Sequence, residues 1–401
     1  MRTSWIAGIV AALIVALVVV QIVRPVAKPT LADELPTSLT IAGSKPSLPW
    51  PAGVQADAEV AGVGAWPQHG PSQPVPIGSI AKMMTAYLVL SAHPLSVGQS
   101  GPSLPVTTQD VQLYTQDAQS HQSVMAVSAG ERLSELTLLE GVLVPSGNNV
   151  ATMLADWITG SPFKFAQEMN RTAAKLGLTH THYHGPVGLD PSTVSTAADQ
   201  MKLAAIFMQN PVFRQIVAMP QLQVPGQAQL EYNYNNLVGH QGIIGVKTGS
   251  TVQAGGCVVL AKQVTVGQKT LTVYSSVMGQ PAIGKTNQLQ ASLNDANTLL
   301  QKAAKVVGTH TVITQGEKLA QLNAPWQSPI PLVATKPVQF LGWPGLDYSV
   351  HLSLKMPHEK TVPAGTVVGT ATAQLGSQTV TIPVKTAKAL TAPGISYRIV
   401  R

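Results

Sequence analysis

Three short motifs constrain the fold of this chain more than any other feature. They are Ser79-Ile80-Ala81-Lys82, Ser146-Gly147-Asn148 and Lys247-Thr248-Gly249. Each alone recurs by chance in many chains. Together they demand a fold that brings three distant segments to one place, because Ser146 follows Ser79 by 67 residues and Lys247 follows Ser146 by 101. Ile80, Met84, Tyr87 and Leu88 recur at helical spacing, so 80–92 reads as a helix with Ser79 at or near its start. Lys82 then lies one turn up on the same face. A second helical pattern covers 133–143, Pro145 ends or kinks it, and a further helix begins at Val150. Ser146–Asn148 therefore falls in a connection between helices. Residues 243–249 read as a strand, followed after a turn by the apolar run 257–261 and a hairpin partner at 271–278. First strands are expected over 56–66, and helices over 163–176, 197–208 and 289–307, with Ser195 or Thr196 as an N-cap. A sheet flanked by several helices is an α/β or α+β arrangement.

The motifs carry chemistry as well as position. A serine hydroxyl is a weak nucleophile and needs a nearby base. Lys82 can serve if desolvation and a second positive charge, which Lys247 can provide, lower its pKa. Ser146 can relay a proton towards a leaving amine. Asn148 can donate to an amide carbonyl. Thr248 offers a hydroxyl, and Lys247 a charge, for a carboxylate. A developing oxyanion needs two donors, and the candidates are the backbone N–H groups of Ser79 and Ser250. Together the motifs can make a serine acyltransferase site, with Ser79, Lys82 and Ser146 catalytic and Asn148, Lys247, Thr248, Gly249 and Ser250 lining the substrate.

The trio, with Gly147 where the pattern has Asp, is the motif set of penicillin-binding proteins and class A β-lactamases. Over about 40–300, and more loosely to its end, the chain resembles the serine D-Ala-D-Ala carboxypeptidases, the low-molecular-mass penicillin-binding proteins of bacterial walls. Lys82-Met83-Met84-Thr85, residues 143–149, Gly188-Leu189-Asp190, Ser195-Thr196-Ala197 and Ala254-Gly255-Gly256-Cys257 add to the likeness. The resemblance implies a β-lactamase/transpeptidase-like catalytic domain of the α/β (α+β) class, followed by a small all-β domain. It implies Ser79 as nucleophile, Lys82 as general base, and Ser146 and Asn148 as the second serine and asparagine. It further implies removal of the terminal D-Ala from peptidoglycan stem peptides through a Ser79 acyl-enzyme, acylation by β-lactams, and no metal or organic cofactor. The family grips the substrate's terminal carboxylate with a basic residue, usually Arg, after the last strand. The nearest candidate is Lys285, a point charge in place of a fork.

Two rival readings compete. A class A β-lactamase needs a glutamate to activate the deacylating water, and 176–189 contains no Glu, while Glu168 falls within an amphipathic helical pattern. A silent wall-binding protein would have no reason to keep all three motifs. His180, His182 and His184 alternate and would share a face on a strand, but packing or solvation is the expected role rather than a zinc site.

Charge and the first residues bear on location. Net charge is +7 with no basic run, so no nucleic-acid partner is expected. The single cysteine, Cys257, permits no intramolecular disulfide and reads as a buried strand residue. Residues 4–23 are an almost unbroken apolar run after Arg2, long enough to span a bilayer. That length favours an uncleaved signal-anchor over a cleaved signal peptide. Flanking charge leaves the orientation open, since Arg24 and Lys28 outnumber Arg2. The wall chemistry places the catalytic domain outside the cytoplasm. The family's frequent C-terminal anchor is absent, and the N-terminal helix is expected to take its place. The expected organisation is a transmembrane helix over 1–24, a linker rich in Pro, Ser and Ala over 25–40, the catalytic domain over 41–305 and the β domain over 309–401.

Overall fold

The computed structural model describes residues 2–33, 35–36, 38–355 and 361–400, so the remaining positions of the ranges 1–24, 25–40 and 309–401 lie outside the described residues. The chain forms two compact units, Ser47–Val307 and a second made from Met1–Pro46 together with Gly308–Arg401.

The Ser47–Val307 unit is built on a five-stranded antiparallel sheet. Its order is Ile243–Thr251, Gly255–Val266, Lys269–Gln280, Gln55–Val60 and Gly64–Ala65. The Lys-Thr-Gly segment thus occupies an edge strand. Helix Gln288–Val306 packs on strands Gly255–Val266 and Lys269–Gln280 through Ala296, Leu299, Leu300 and Ala303, and Ser275 Oγ donates to the Ala296 carbonyl at 2.8 Å. Helix Ala197–Phe207, capped by Thr196, packs on strands Lys269–Gln280 and Gln55–Val60. Helix Lys82–Ala92 is buried between helices Glu135–Leu143, Asn148–Thr159 and Ala197–Phe207. Met83, Met84, Leu138, Leu139, Val150 and Phe165 fill the core there. Burying each such side chain contributes about 1.5–3 kcal/mol. The helix carrying Lys82 is therefore apolar almost all round, and so a rigid support rather than a surface helix.

The second unit is mainly β. A seven-stranded sheet runs Thr30–Asp33, Lys318–Ala324, Gln327–Ala334, Gln378–Thr386, Val367–Leu375, Asp347–Leu354, Leu39–Thr40. Trp343 and Phe340 are buried beside it. Here the linker expected over 25–40 needs correction. Thr30–Asp33 pairs antiparallel with Lys318–Ala324, and Leu39–Thr40 pairs with Asp347–Leu354, so two pieces of the supposed linker are the outer strands of the sheet. Residues 41–46 also belong to this unit. Ile41 is buried, donates to the Leu346 carbonyl at 2.9 Å and accepts from Gly345 N–H at 2.8 Å. These segments cover edges that would otherwise present unpaired backbone groups. Strands of two and four residues carry too little alternation to stand out among prolines.

Helix Arg2–Val23 is exposed along its apolar length. Among the described residues, Trp5–Val23 is one helix apolar and long enough to cross a membrane, with a mean hydropathy of 3.0. At 1.5 Å per residue its length is roughly 28 Å, close to a bilayer's hydrocarbon thickness.

Candidate active site

The three motifs converge at the edge of the sheet, where the Lys-Thr-Gly stretch is buried against the turn that carries Ser79. Gly78–Ala81 forms a single 3-10 turn that runs straight into helix Lys82–Ala92. Ser79 lies in that turn, half-buried, and Lys82 is the first residue of the helix, with no exposed surface. Ser146 sits between helices Glu135–Leu143 and Asn148–Thr159. Its φ is +61°, a left-handed conformation uncommon outside glycine, which costs on the order of 1–3 kcal/mol and turns up at functional sites. Three contacts hold it there. Gly147 N–H donates to the Gly141 carbonyl at 2.8 Å, Asn148 N–H donates to the Ser123 carbonyl at 2.8 Å, and Asn149 exchanges two hydrogen bonds with the Met125 backbone.

Hydrogen bonds then link the motifs directly. Lys82 Nζ donates to Ser79 Oγ at 2.9 Å, to the Ser146 carbonyl at 2.7 Å and to Asn148 Oδ1, with Ser146 Oγ 3.3 Å away. Lys247 Nζ donates to Ser146 Oγ at 2.9 Å and to the Thr248 carbonyl at 3.0 Å. Both lysines are buried, and among the described residues neither pairs with a carboxylate. Burial, and then the Lys247 charge, push the Lys82 pKa well below its ordinary 10.5, against a small opposing pull from Asp117. Burial pushes Lys247 down to about 7.

Glycines allow the close approach. A Cβ on Gly249 would lie 2.5 Å from the Ile77 carbonyl and 2.9 Å from the Ser79 nitrogen. Gly188, at φ +80°, presses on the same turn from the other side, and a Cβ there would lie 2.0 Å from the Gly78 carbonyl. The Gly-Leu-Asp segment thus braces the serine turn. Gly249→Ala has only backbone to push against, so the turn and strand must separate. Penicillin acylation of Gly249→Ala is expected to slow by about 10- to 100-fold, since displacements near 1 Å have that effect, with a lower melting temperature. An acylation time course within twofold of the native chain would show that the approach is not needed.

Ser250 is exposed just past the strand's buried stretch, its hydroxyl accepting from Gln288 Nε2 at 2.8 Å. Lys285 is not drawn in. It lies exposed on the turn between strand Lys269–Gln280 and helix Gln288–Val306, with no hydrogen bond or ion pair to the other site residues among those described. The first side chain after that strand to touch the Lys-Thr-Gly end is Gln288, which also donates to the Thr251 carbonyl at 2.9 Å. Sequence reasoning missed Gln288, and it missed Gln122, whose Oε1 accepts from Asn148 Nδ2 at 2.7 Å.

The rings of His182 and His184 meet edge to face, with centroids 4.9 Å apart. His182 bridges to Val194 while His184 lies against Asp190, and among the described residues no group of His, Cys, Asp or Glu is placed to hold a metal. Glu168 pairs with Arg171 on helix Pro162–Lys175, away from the motifs. Cys257 is buried in strand Gly255–Val266, where burial pushes its thiol up to about 12.

This mixed α/β frame is that of the penicillin-binding proteins and transpeptidases. Penicillin-binding protein 5 of Haemophilus influenzae shares it with a TM-score of 0.59 at 20% identity, over 87% of this chain and all of that one. The chain belongs to the peptidase S11 family of D-alanyl-D-alanine carboxypeptidases, whose profile matches residues 67–282. A D-alanyl-D-alanine carboxypeptidase of Streptomyces sp. (strain K15) is 31% identical over 217 residues, 50% of this chain and 72% of that protein. The carboxypeptidase DacB2 of Mycobacterium tuberculosis is 39% identical over 141 residues, 34% of this chain. The chain spans 48% of that relative's length, and 46% to 66% of three others.

Proposed function

We propose that the chain is a serine-type D-Ala-D-Ala carboxypeptidase, acting outside the cytoplasm from an N-terminal membrane helix. One observation carries this reading: a wholly buried lysine, free of any carboxylate partner among the described residues, has its Nζ 2.9 Å from the hydroxyl of Ser79. With Lys82 neutral, that contact reverses polarity and the Ser79 hydroxyl donates to the amine. Lys82 takes the proton as Ser79 Oγ attacks the carbonyl of the penultimate D-Ala. The backbone N–H groups of Ser79 and Ser250 hold the oxyanion. Ser146, bridged to both lysines, passes a proton to the departing nitrogen. D-Ala leaves, and water then releases the shortened peptide. Thr248 and the Lys247 charge face the terminal carboxylate. Lys285 is proposed only as a peripheral charge near that end.

The same attack opens a β-lactam ring. With no glutamate in 176–189 to drive deacylation, the penicilloyl adduct persists. The test is to incubate the full-length chain in detergent with penicillin, map the added mass to a peptide, and follow D-Ala release from a pentapeptide. The expected result is one adduct on the Ser79 peptide, stable for minutes or longer, together with D-Ala release. Rapid loss of the adduct with repeated penicillin turnover would instead make the chain a β-lactamase. No adduct and no release would leave a silent binder.

A further inference from the structure

Lys82, Asn148 and Gln122 form a chain of hydrogen bonds running from the buried base to the surface, and its polarity can be worked out from one end. An ammonium only donates, and a neutral Lys82 amine, its one lone pair turned to the Ser79 hydroxyl, still donates through its remaining N–H groups. Its contact with Asn148 therefore fixes Oδ1 as the atom facing inward, and Nδ2 as the atom facing Gln122. Nδ2 only donates, so Gln122 must present Oε1 to it. Gln122 Nε2 is left as a donor with no partner among the described residues, on a side chain that is half-exposed while Asn148 beneath it is 3% exposed.

The segment that carries Gln122 is held fast. Gln122 N–H donates to the Asp117 carbonyl at 2.9 Å, closing the end of helix Thr108–Gln119. The next residue, Ser123, accepts from Asn148 N–H through its carbonyl and donates through its hydroxyl to Tyr234 at 3.2 Å. Met125 is pinned by Asn149. A donor presented on so fixed a backbone, directly outside the asparagine that faces the substrate amide, meets whatever extends outward from that amide.

We infer that Gln122 is a positioning and selectivity residue for the acyl donor. Its Oε1 fixes the orientation of the Asn148 amide, and its Nε2 donates to a backbone carbonyl of the stem peptide one or more residues beyond the carbonyl that Asn148 binds. This rests on the carboxypeptidase reading. The ligand class is an extended peptide ending in D-Ala-D-Ala, as against a short acyl-D-Ala-D-Ala or a penicillin, which end before Gln122.

The test uses the full chain and Gln122→Met, close in length but without donor or acceptor, with Gln122→Asn as the conservative variant. Three substrates are compared: a pentapeptide, acetyl-D-Ala-D-Ala, and penicillin read as acylation rate. For Gln122→Met, kcat/KM on the pentapeptide should fall about tenfold or more, the loss of one hydrogen bond to substrate added to looser Asn148. The losses on acetyl-D-Ala-D-Ala and penicillin should stay within about threefold, and Gln122→Asn should recover part of the pentapeptide rate. Equal losses on all three substrates would overturn the peptide contact, and no loss on any would overturn both roles. Stoichiometric penicillin uptake by Gln122→Met shows that it is folded. If the native chain itself takes up no penicillin and releases no D-Ala, the carboxypeptidase reading has failed instead.

Discussion

Ser79→Ala is expected to take up no covalent penicillin, and its release of D-Ala from a pentapeptide to fall to the uncatalysed background. Lys82→Met keeps the nucleophile but acylates on the order of 10²- to 10⁴-fold more slowly, the range for loss of a positioned general base. The two substitutions separate attack from activation. Ser79 is half-buried at a turn held by backbone contacts, so removing its hydroxyl disturbs little else. Lys82 is different. Its ammonium satisfies the Ser146 carbonyl and Asn148 Oδ1, and Met leaves both acceptors without that donor. Each unpaired buried acceptor costs about 1–3 kcal/mol. Removing a buried cation that has no counter-charge offsets part of this cost. Lys82→Met should therefore still fold, with a cooperative melt as the check, and its defect should lie in acylation rate. A labelling time course within tenfold of the native chain would mean that another group takes the Ser79 proton. A label on Ser79→Ala equal to that on the native chain would remove Ser79 from the mechanism altogether.

Much of this site was legible because its elements follow local rules. Ile80, Met84 and Leu88 set a helical face, Pro145 broke the second helix, and the β-rich run through Val246 placed Lys247 on a strand. What the spacing could not express was the closeness of approach. The 3-10 turn at Gly78–Ala81, the left-handed Ser146 and the backbone packed against Gly249 and Gly188 are set by long-range contacts. Helix Thr108–Gln119 was missed for another reason. It has no fully buried residue, and only Val111 and Tyr114 pack partly buried against the core, so the apolar stripe that marks a helix is thin. Its one signal was the pair Thr107 and Asp110, which forms a capping box. With that helix unseen, nothing pointed to Gln122 at its end. Lys285 stands apart from the other site residues. It is near the right place in the chain, yet the turn leaves it exposed while Gln288, three residues on, reaches the strand.

The rate of penicillin acylation should follow a bell-shaped pH profile whose alkaline limb belongs to Lys247. Lys82 works as a base only when neutral. Its pKa is held well below 10.5 by burial and by Lys247, so the neutral form is present at far lower pH than for a free lysine. The rate rises as pH climbs through that lowered value. In the proposed mechanism Lys247 works only while it keeps its proton and faces the carboxylate. Burial brings it down to about 7, so the rate falls as pH rises past about 7, by roughly tenfold per unit once well beyond it. The two lysines meet at the Ser146 hydroxyl, and loss of one proton relieves the other, so the limbs report the pair rather than separate groups. Working order requires the Lys82 proton to leave first, which the extra push from the Lys247 charge favours. Lys247→Arg breaks the symmetry, because a guanidinium stays charged throughout the range. The variant should acylate more slowly, having a larger group in a buried site, but its rate should no longer fall above pH 7, while the acid limb remains. Measuring acylation from pH 4.5 to 9 for both proteins decides the matter. An alkaline limb unmoved in Lys247→Arg would assign it elsewhere. A native rate still rising at pH 9 would mean that Lys82, despite its burial, keeps its proton until the solution is basic.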